Sequence, residues 1–339
     1  MGCAMKRAAV PSILVAVVLL AVGVIAEAQQ PTKVPRIGFV SGIGGPSNPG
    51  PNVVGFRQGL RDFGYIEGKN ILVEYRYTEG KGDRNPSLVA ELVQLKVDVL
   101  VVGGPGGLSA AKQATKTIPI VIVTQADPVG SGYIDSLARP GGNITGLTRL
   151  TRELSGKRLE LLKEVVPRLT RVAIVFQGQQ TGELAAASKL YVKEIEVPAR
   201  ALTVQIISLV VRGPEDYEST VRAATKERAS ALLSRLPPGT PSAHRKQFMD
   251  LAAKSRLPVG SGQNLDTEAG GLLSYGWDRR DLYRRAAIYV DKILKGSKPA
   301  DLPVEAPLKF EFTINLKTAK ALNLTIPQSV LYRADRVIK

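Results

Sequence analysis

Cysteine is almost missing from this chain: 339 residues contain one, Cys3, together with one histidine and one tryptophan. Cys3 precedes the apolar core of an N-terminal leader, so the chain beyond that leader has no disulfide, no thiol nucleophile and no thiolate metal site. The single histidine, His244, stands between polar residues of an expected helix and reads as solvent-facing. No nucleophile motif lies near it, no Gly-x-Ser-x-Gly occurs, and nothing has the spacing of metal ligands. Glycine-rich loops are present, but none is a G-x-G-x-x-G and none carries a Walker lysine. No long apolar run follows the leader, so no later segment is expected to span a bilayer. These absences argue against an enzyme, and no metal or cofactor is expected. A sugar hydrolase working with carboxylates alone stays formally open, though no pair is placed by the sequence.

What is present begins with export. Lys6 and Arg7 form a positive n-region, Ile13–Ile25 an apolar stretch, and Ala26-Glu27-Ala28 an A-x-A cleavage site. Residues 1–28 are read as a secretory signal peptide, with a retained anchor as the alternative. A large cysteine-free exported chain suits a bacterial periplasm. The formal charge of +16 falls to +15 once Lys6, Arg7 and Glu27 are removed. The basic residues are scattered over helical segments rather than gathered into an aromatic-laced motif, so a solvated basic surface is expected and no nucleic-acid partner. An acidic ligand or an anionic partner surface remains compatible with it.

Apolar runs of strand length alternate with amphipathic stretches, the pattern of parallel α/β sheets with right-handed crossovers. Strands are expected at Val34–Val40, Ile71–Tyr77, Val97–Val102, Ile120–Val123 and Ile144–Leu147. After the helix Glu153–Val166 the rhythm restarts at Arg171–Phe176, Val204–Val211, Ala231–Leu236 and Pro258–Ser261. Between them run a helix ending at Phe63, and others at Ser87–Leu95, Glu183–Leu202, Glu215–Glu227, Ala243–Lys254 and Arg279–Leu294. Pro198 predicts a kink or break in the helix Glu183–Leu202. The fold class is α/β: two parallel-sheet sandwich lobes joined by a hinge that the chain crosses more than once. Residues 34–147 and 270–303 are assigned to lobe I, and 150–267 and 308–327 to lobe II. Segments 304–307 and 328–339 belong to the hinge or terminus, with a last strand expected over Val330–Ile338.

Ligands of open α/β sheets sit outside the carboxyl ends of the strands, and that rule selects the candidate site. From the first lobe come Ser41, Gly104, Thr124, Gln125 and Asp127, with Ser109 expected to cap a helix Ala110–Thr117. Ser41, Gly104 and Ser109 would offer hydroxyl and backbone donors to an anionic group. Asp127 either accepts from a ligand ammonium or caps a short helix beginning near Pro128. From the second lobe come Gln177, Arg235 and Gln263. Arg235 either holds a carboxylate bidentately or joins a surface network. Tyr275, with Trp277, either stacks on an aromatic ligand or packs.

Several stretches resemble a bacterial family of ABC-transporter substrate-binding proteins. They are Phe56-Arg57-Gln58-Gly59-Leu60, residues 64–70 (GYIEGKN), Asp127-Pro128-Val129, residues 136–143 (SLARPGGN) and residues 156–162 (GKRLELL). The resemblance continues through residues 281–287 (DLYRRAA), 315–322 (NLKTAKAL) and 326–329 (IPQS), and so covers nearly all of the chain after the leader. It implies a type 1 periplasmic binding fold and solute capture for an ABC permease. Some members are associated with tryptophan or other aromatic amino acids. The ligand implied is a small molecule, possibly an amino acid or related metabolite, and no stable membrane insertion is expected after cleavage. Gly104 before Pro105, Thr124-Gln125-Ala126, and Gln177-Gly178 depart from the family's usual residues at cleft edges, so a typical relative's ligand does not transfer. The alternatives are an extracytoplasmic sensor for a membrane receptor and a secreted enzyme on the same fold.

Overall fold

Most apolar runs of the first half become buried strands, because both faces of a parallel sheet are covered by its crossover helices, while the edge strand over 72–77 is half-buried. The computed structural model describes residues 33–339 apart from 125–126, 149–151, 179–182, 238 and 308. The leader therefore lies outside the described residues. The first unit runs β1 (Arg36–Ser41), α1 (Gly50–Asp62), β2 (Leu72–Tyr77), α2 (Asn85–Gln94), β3 (Val99–Gly103), α3 (Gly104–Ala114), β4 (Ile120–Thr124) and β5 (Ile144–Thr148). Its five strands are all parallel, in the order β2-β1-β3-β4-β5.

The second unit opens with α4 (Arg152–Val165) and continues β6 (Arg171–Gln177), α5 (Glu183–Ala201), β7 (Gln205–Val211), α6 (Tyr217–Lys226) and β8 (Ala231–Arg235). Then come α7 (Ser242–Lys254), β9 (Val259–Ser261), α8 (Asn264–Glu268) and β10 (Leu273–Trp277). The chain returns to the first unit as α9 (Arg279–Leu294). It goes back once more as β11 (Phe310–Asn315), α10 (Leu316–Ala321), α11 (Gln328–Leu331) and β12 (Arg336–Ile338). The second sheet has seven strands, β12-β11-β10-β9-β8-β6-β7, and only the β10–β11 pair is antiparallel. The chain therefore passes between the units at residues 148–152, 277–279 and 305–310.

Close helix packing fixes α9 to the first unit. Gly55 and Gly59 of α1 lie against the backbone carbonyls of Arg280 and Arg284, and any Cβ at Gly59 would sit 2.7 Å from the Ala287 Cβ. Only residues without a side chain allow two helices this near. Beneath them Phe39, Phe56 and Tyr283 pack ring on ring, with centroids 4.9 and 5.7 Å from Phe39. The segment after α9 then runs along the free edge of β5. Thr145 Oγ1 donates to the Leu302 carbonyl at 2.7 Å, and Thr148 N–H to that of Glu305 at 2.9 Å.

Five expectations are corrected. Residues 273–277 do not belong with the first sheet: as β10 they pair with β9 and β11 inside the second. Residues 127–142 form turns and bends rather than a helix. Ser109 is no cap, because α3 starts five residues earlier with Gly103 at its N-cap. Pro198 does not break α5. It falls in the last turn, where the single hydrogen bond its missing N–H forfeits matters least. The C-terminus makes a short helix before β12, and only Arg336–Ile338 form the strand expected over 330–338.

Candidate functional site

Parallel strands end at one edge, and the two such edges of this chain face each other. The loop after β8 carries Gly239, which touches two loops of the first unit: Gly42, directly after β1, and Gly80, shortly after β2. A Cβ on Gly239 would lie 2.7 Å from the Gly80 Cα and 2.8 Å from the Gly42 carbonyl oxygen, and one on Gly80 would overlap the Gly239 carbonyl. Gly80 has φ +80°, which a side chain would disfavour even without that neighbour. The lobes thus meet backbone to backbone at the loops after β1, β2 and β8.

The second lobe's wall is strongly basic. Arg235 ends β8, and strand alternation places its side chain on the face of Leu233, beneath α4 and α5. There its guanidinium lies 3.9 Å from the centroid of Tyr191 on α5, and its Nε is buried without a hydrogen-bond partner. Arg158 comes from α4, on the same stripe as Leu154, Leu161 and Leu162, and is 2% exposed. Its Nε donates to the Tyr275 carbonyl at 2.7 Å, its guanidinium is 5.9 Å from the Trp277 ring, and one terminal nitrogen is buried without a partner. Burial, together with the charge of Arg235, pushes the Arg158 guanidinium's pKa down. Arg279, at the start of α9, is lowered likewise by burial and donates to Gln263 Oε1 at 3.2 Å. Guanidinium groups stay charged in proteins regardless, so this wall and the crossing beside it carry three positive charges.

A fourth arginine shows the contrast. Arg245 of α7 is buried against Asp266, whose other oxygen accepts from Ser261 Oγ. Its second arm reaches the Pro237 carbonyl at 2.8 Å, which anchors the loop bearing Gly239. Burial, reinforced by the charge of Arg279, lowers its pKa to about 10. Among the described residues, Arg158, Arg235 and Arg279 meet no such carboxylate.

The residues singled out from sequence divide into three groups. Arg235, Tyr275 and Gln263 come together at the second lobe's edge, though with different duties. Tyr275 stacks on Phe310 at 6.0 Å and offers its carbonyl to Arg158. Gln263 is spent on structure, donating to the Leu236 carbonyl at 2.6 Å and accepting from Arg279. Ser41, Gly104 and Thr124 lie at strand ends of the first lobe. Ser41 Oγ is committed to the backbone of Ile43, at 2.6 and 3.3 Å, and Thr124 is fully buried. Gly104, with φ +72°, opens α3 and has open space where a side chain would be.

The rest do not meet at a common point. Asp127 is exposed, and its Oδ1 accepts from the N–H groups of Val129 and Gly130 at 3.1 and 3.0 Å, a turn-closing role in place of the expected ligand contact or helix cap. Ser109 sits within α3 and accepts from Gln113. Gln125 lies outside the described residues, and Gln177 is placed by its backbone alone, opposite Val211 at the end of β6. His244 is half-buried rather than solvent-facing. Among the described residues no three His, Cys, Asp or Glu gather in a metal-holding cluster.

Sequence reasoning missed Arg158, Tyr191, Arg279 and the Gly80–Gly239 contact. One signal for Arg158 was there: it falls four residues after Leu154 and four before Leu162, an arginine on an apolar helical stripe. Gly80 and Gly239 left none, because their contact joins residues far apart in the chain.

Two facing α/β lobes crossed three times by the chain define a ligand-binding protein of the type 1 periplasmic binding fold. The chain belongs to the family of ABC transporter substrate binding proteins, whose profile matches residues 39–338. It is 23% identical over 277 residues to the tyrosine-binding protein of Clostridioides difficile (strain R20291), covering 80% of this chain and 76% of that one. A conserved domain protein from Vibrio cholerae superposes with a TM-score of 0.78 at 27% identity, over 90% of this chain and 100% of that one. An ABC domain from Streptococcus pneumoniae in complex with L-Trp gives a TM-score of 0.77 at 24% identity, over 90% and 99%.

Proposed function

We propose that this protein is the periplasmic solute-binding component of an ABC importer, taking an amino acid or a related small metabolite into the cleft between its lobes. The observation that carries this reading is the meeting of the two carboxyl-end edges at Gly42, Gly80 and Gly239, over a wall with unpaired charge. A ligand that touches both lobes favours the closed arrangement by its differential affinity for it. The three crossings then act as the hinge, and the closed form docks on a membrane permease. No chemical step is required of any residue. The signal-peptide pattern of residues 1–28 supports the periplasmic assignment, and no helix of the described residues is long and apolar enough to cross a membrane. The relatives named for tyrosine and crystallised with L-Trp support an amino-acid ligand.

Thermal-shift measurement on ligand-stripped protein, over amino acids, aromatic acids and sugars, tests the reading. An amino acid is expected to raise the melting temperature and remain unaltered on prolonged incubation. A shift by sugars alone would refute the ligand class, and turnover of any compound would refute a purely binding role. Cell fractionation with N-terminal sequencing is expected to find a periplasmic chain starting near Gln29.

A further inference from the structure

We propose that Arg158 and Arg235 form a carboxylate-binding pair on the second lobe, with Tyr191 as the platform that holds Arg235 in place. The proposal rests on the solute-binding reading and adds to it which end of the ligand this lobe grips.

Burying an unpaired guanidinium is strongly unfavourable, and a like charge nearby makes it worse. Other arginines of this chain avoid that position: Arg245 meets Asp266, Arg284 meets Asp62, and Arg285 meets Glu305. Arg158 and Arg235 instead rest on neutral groups. Tyr191 lies under one, Trp277 is near the other, and the Tyr275 carbonyl takes one N–H. Such partners orient a guanidinium without neutralising it. Each side chain keeps a buried nitrogen with no acceptor: a terminal nitrogen of Arg158 and Nε of Arg235.

The position is that of a ligand rather than of a core residue. Both guanidiniums lie where β8, β9 and β10 end, the edge that faces the first lobe. Gly262, directly after β9, makes room: a Cβ there would be 2.7 Å from the guanidinium carbon of Arg158. Arg279, also lacking a carboxylate, adds positive potential from the nearby crossing. The guanidinium donors of the two side chains match the oxygens of a carboxylate.

The pair is a cost to the empty protein that an anionic ligand removes. Two measurements on Arg235→Gln, which keeps most of the stem on Tyr191, test this. Without ligand, the variant is expected to melt at or above the wild-type temperature, since a half-buried charge beside the buried Arg158 guanidinium is gone. A lower melting temperature would mean that Arg235 is a structural residue and would overturn the proposal. Titration calorimetry then compares the twenty amino acids with their C-terminal amides. The wild type is expected to prefer an acid over its amide, and the variant to lose about 100-fold in affinity for the acid and little for the amide. Arg158→Gln is expected to behave alike, and Arg235→Lys to recover part of the loss. An amino acid bound equally by wild type and both glutamine variants would overturn the pair while leaving solute binding intact. Preference for a phosphorylated compound would overturn the carboxylate assignment. A wild type that binds no small molecule would overturn the solute-binding reading itself.

Discussion

Gly239→Ala separates closure of the lobes from folding. The backbone of Gly239 is outside the left-handed region, so alanine brings no conformational strain. Its methyl group would meet the Gly80 Cα at 2.7 Å and the Gly42 carbonyl oxygen at 2.8 Å, against the 3.4 Å at which ordinary contact begins. The lobes must therefore part by about 0.7 Å at the rim, or the loops must shift by as much. Overpacking of this size costs about 1–3 kcal/mol, and here it burdens only the closed arrangement. The apparent affinity for the cognate amino acid should fall about 5- to 150-fold, while the ligand-free protein unfolds in urea within about 0.5 kcal/mol of wild type. Calorimetry measures the first quantity, and small-angle scattering with and without ligand reports the compaction. Gly239→Leu should enlarge the affinity loss. An alanine variant with wild-type affinity and wild-type compaction would refute the idea that these glycines meet when ligand is held. An equal loss of stability in the empty protein would show that the contact belongs to folding instead.

Three further outcomes are expected. Asp127→Ala should leave ligand affinity unchanged and lower stability by about 0.5–1.5 kcal/mol, because Asp127 is exposed and spends its Oδ1 on closing a turn through the Val129 and Gly130 amides. Gly59→Ala should destabilise by about 2 kcal/mol or more in urea melts, since its methyl would sit 2.7 Å from Ala287 Cβ and nearer still to the Arg284 carbonyl. Asp98 lies at the other end of the first sheet, where Lys33 at 2.8 Å and the Arg36 N–H at 2.7 Å outweigh its partial burial and hold its carboxyl below the usual range. A depressed carboxyl pKa stabilises the fold above its unfolded value and loses that contribution as pH falls through the folded one. Asp98→Asn should therefore be less stable than wild type at pH 7, with the gap closing below about pH 4.

Much of the architecture was legible because strand and helix periods are local properties. The run Ile120–Val123, bounded by Thr124 and a proline, became β4. Arg279–Leu294 forms a helix over the expected residues. Which sheet an element joins was less legible. β10 looked like a way back to the first lobe because it precedes α9, yet its pairing with β9 and β11 holds it in the second. The candidate site was read along loops, and this favoured Asp127 and Ser109, whose polar atoms are used locally. Arg158 was passed over because it stands inside a helix, where the residues around it describe packing.

The sequence by itself determined the α/β rhythm, the expectation of export and the lack of any cysteine after Cys3, because each depends on neighbouring residues or on composition. The tertiary structure alone decided that Arg158 and Arg235 share a wall without a counter-charge among the described residues, and that Gly80 and Gly239 meet between the lobes. Those relations join residues 77 and 159 positions apart, and nothing local to either partner encodes the distance between them.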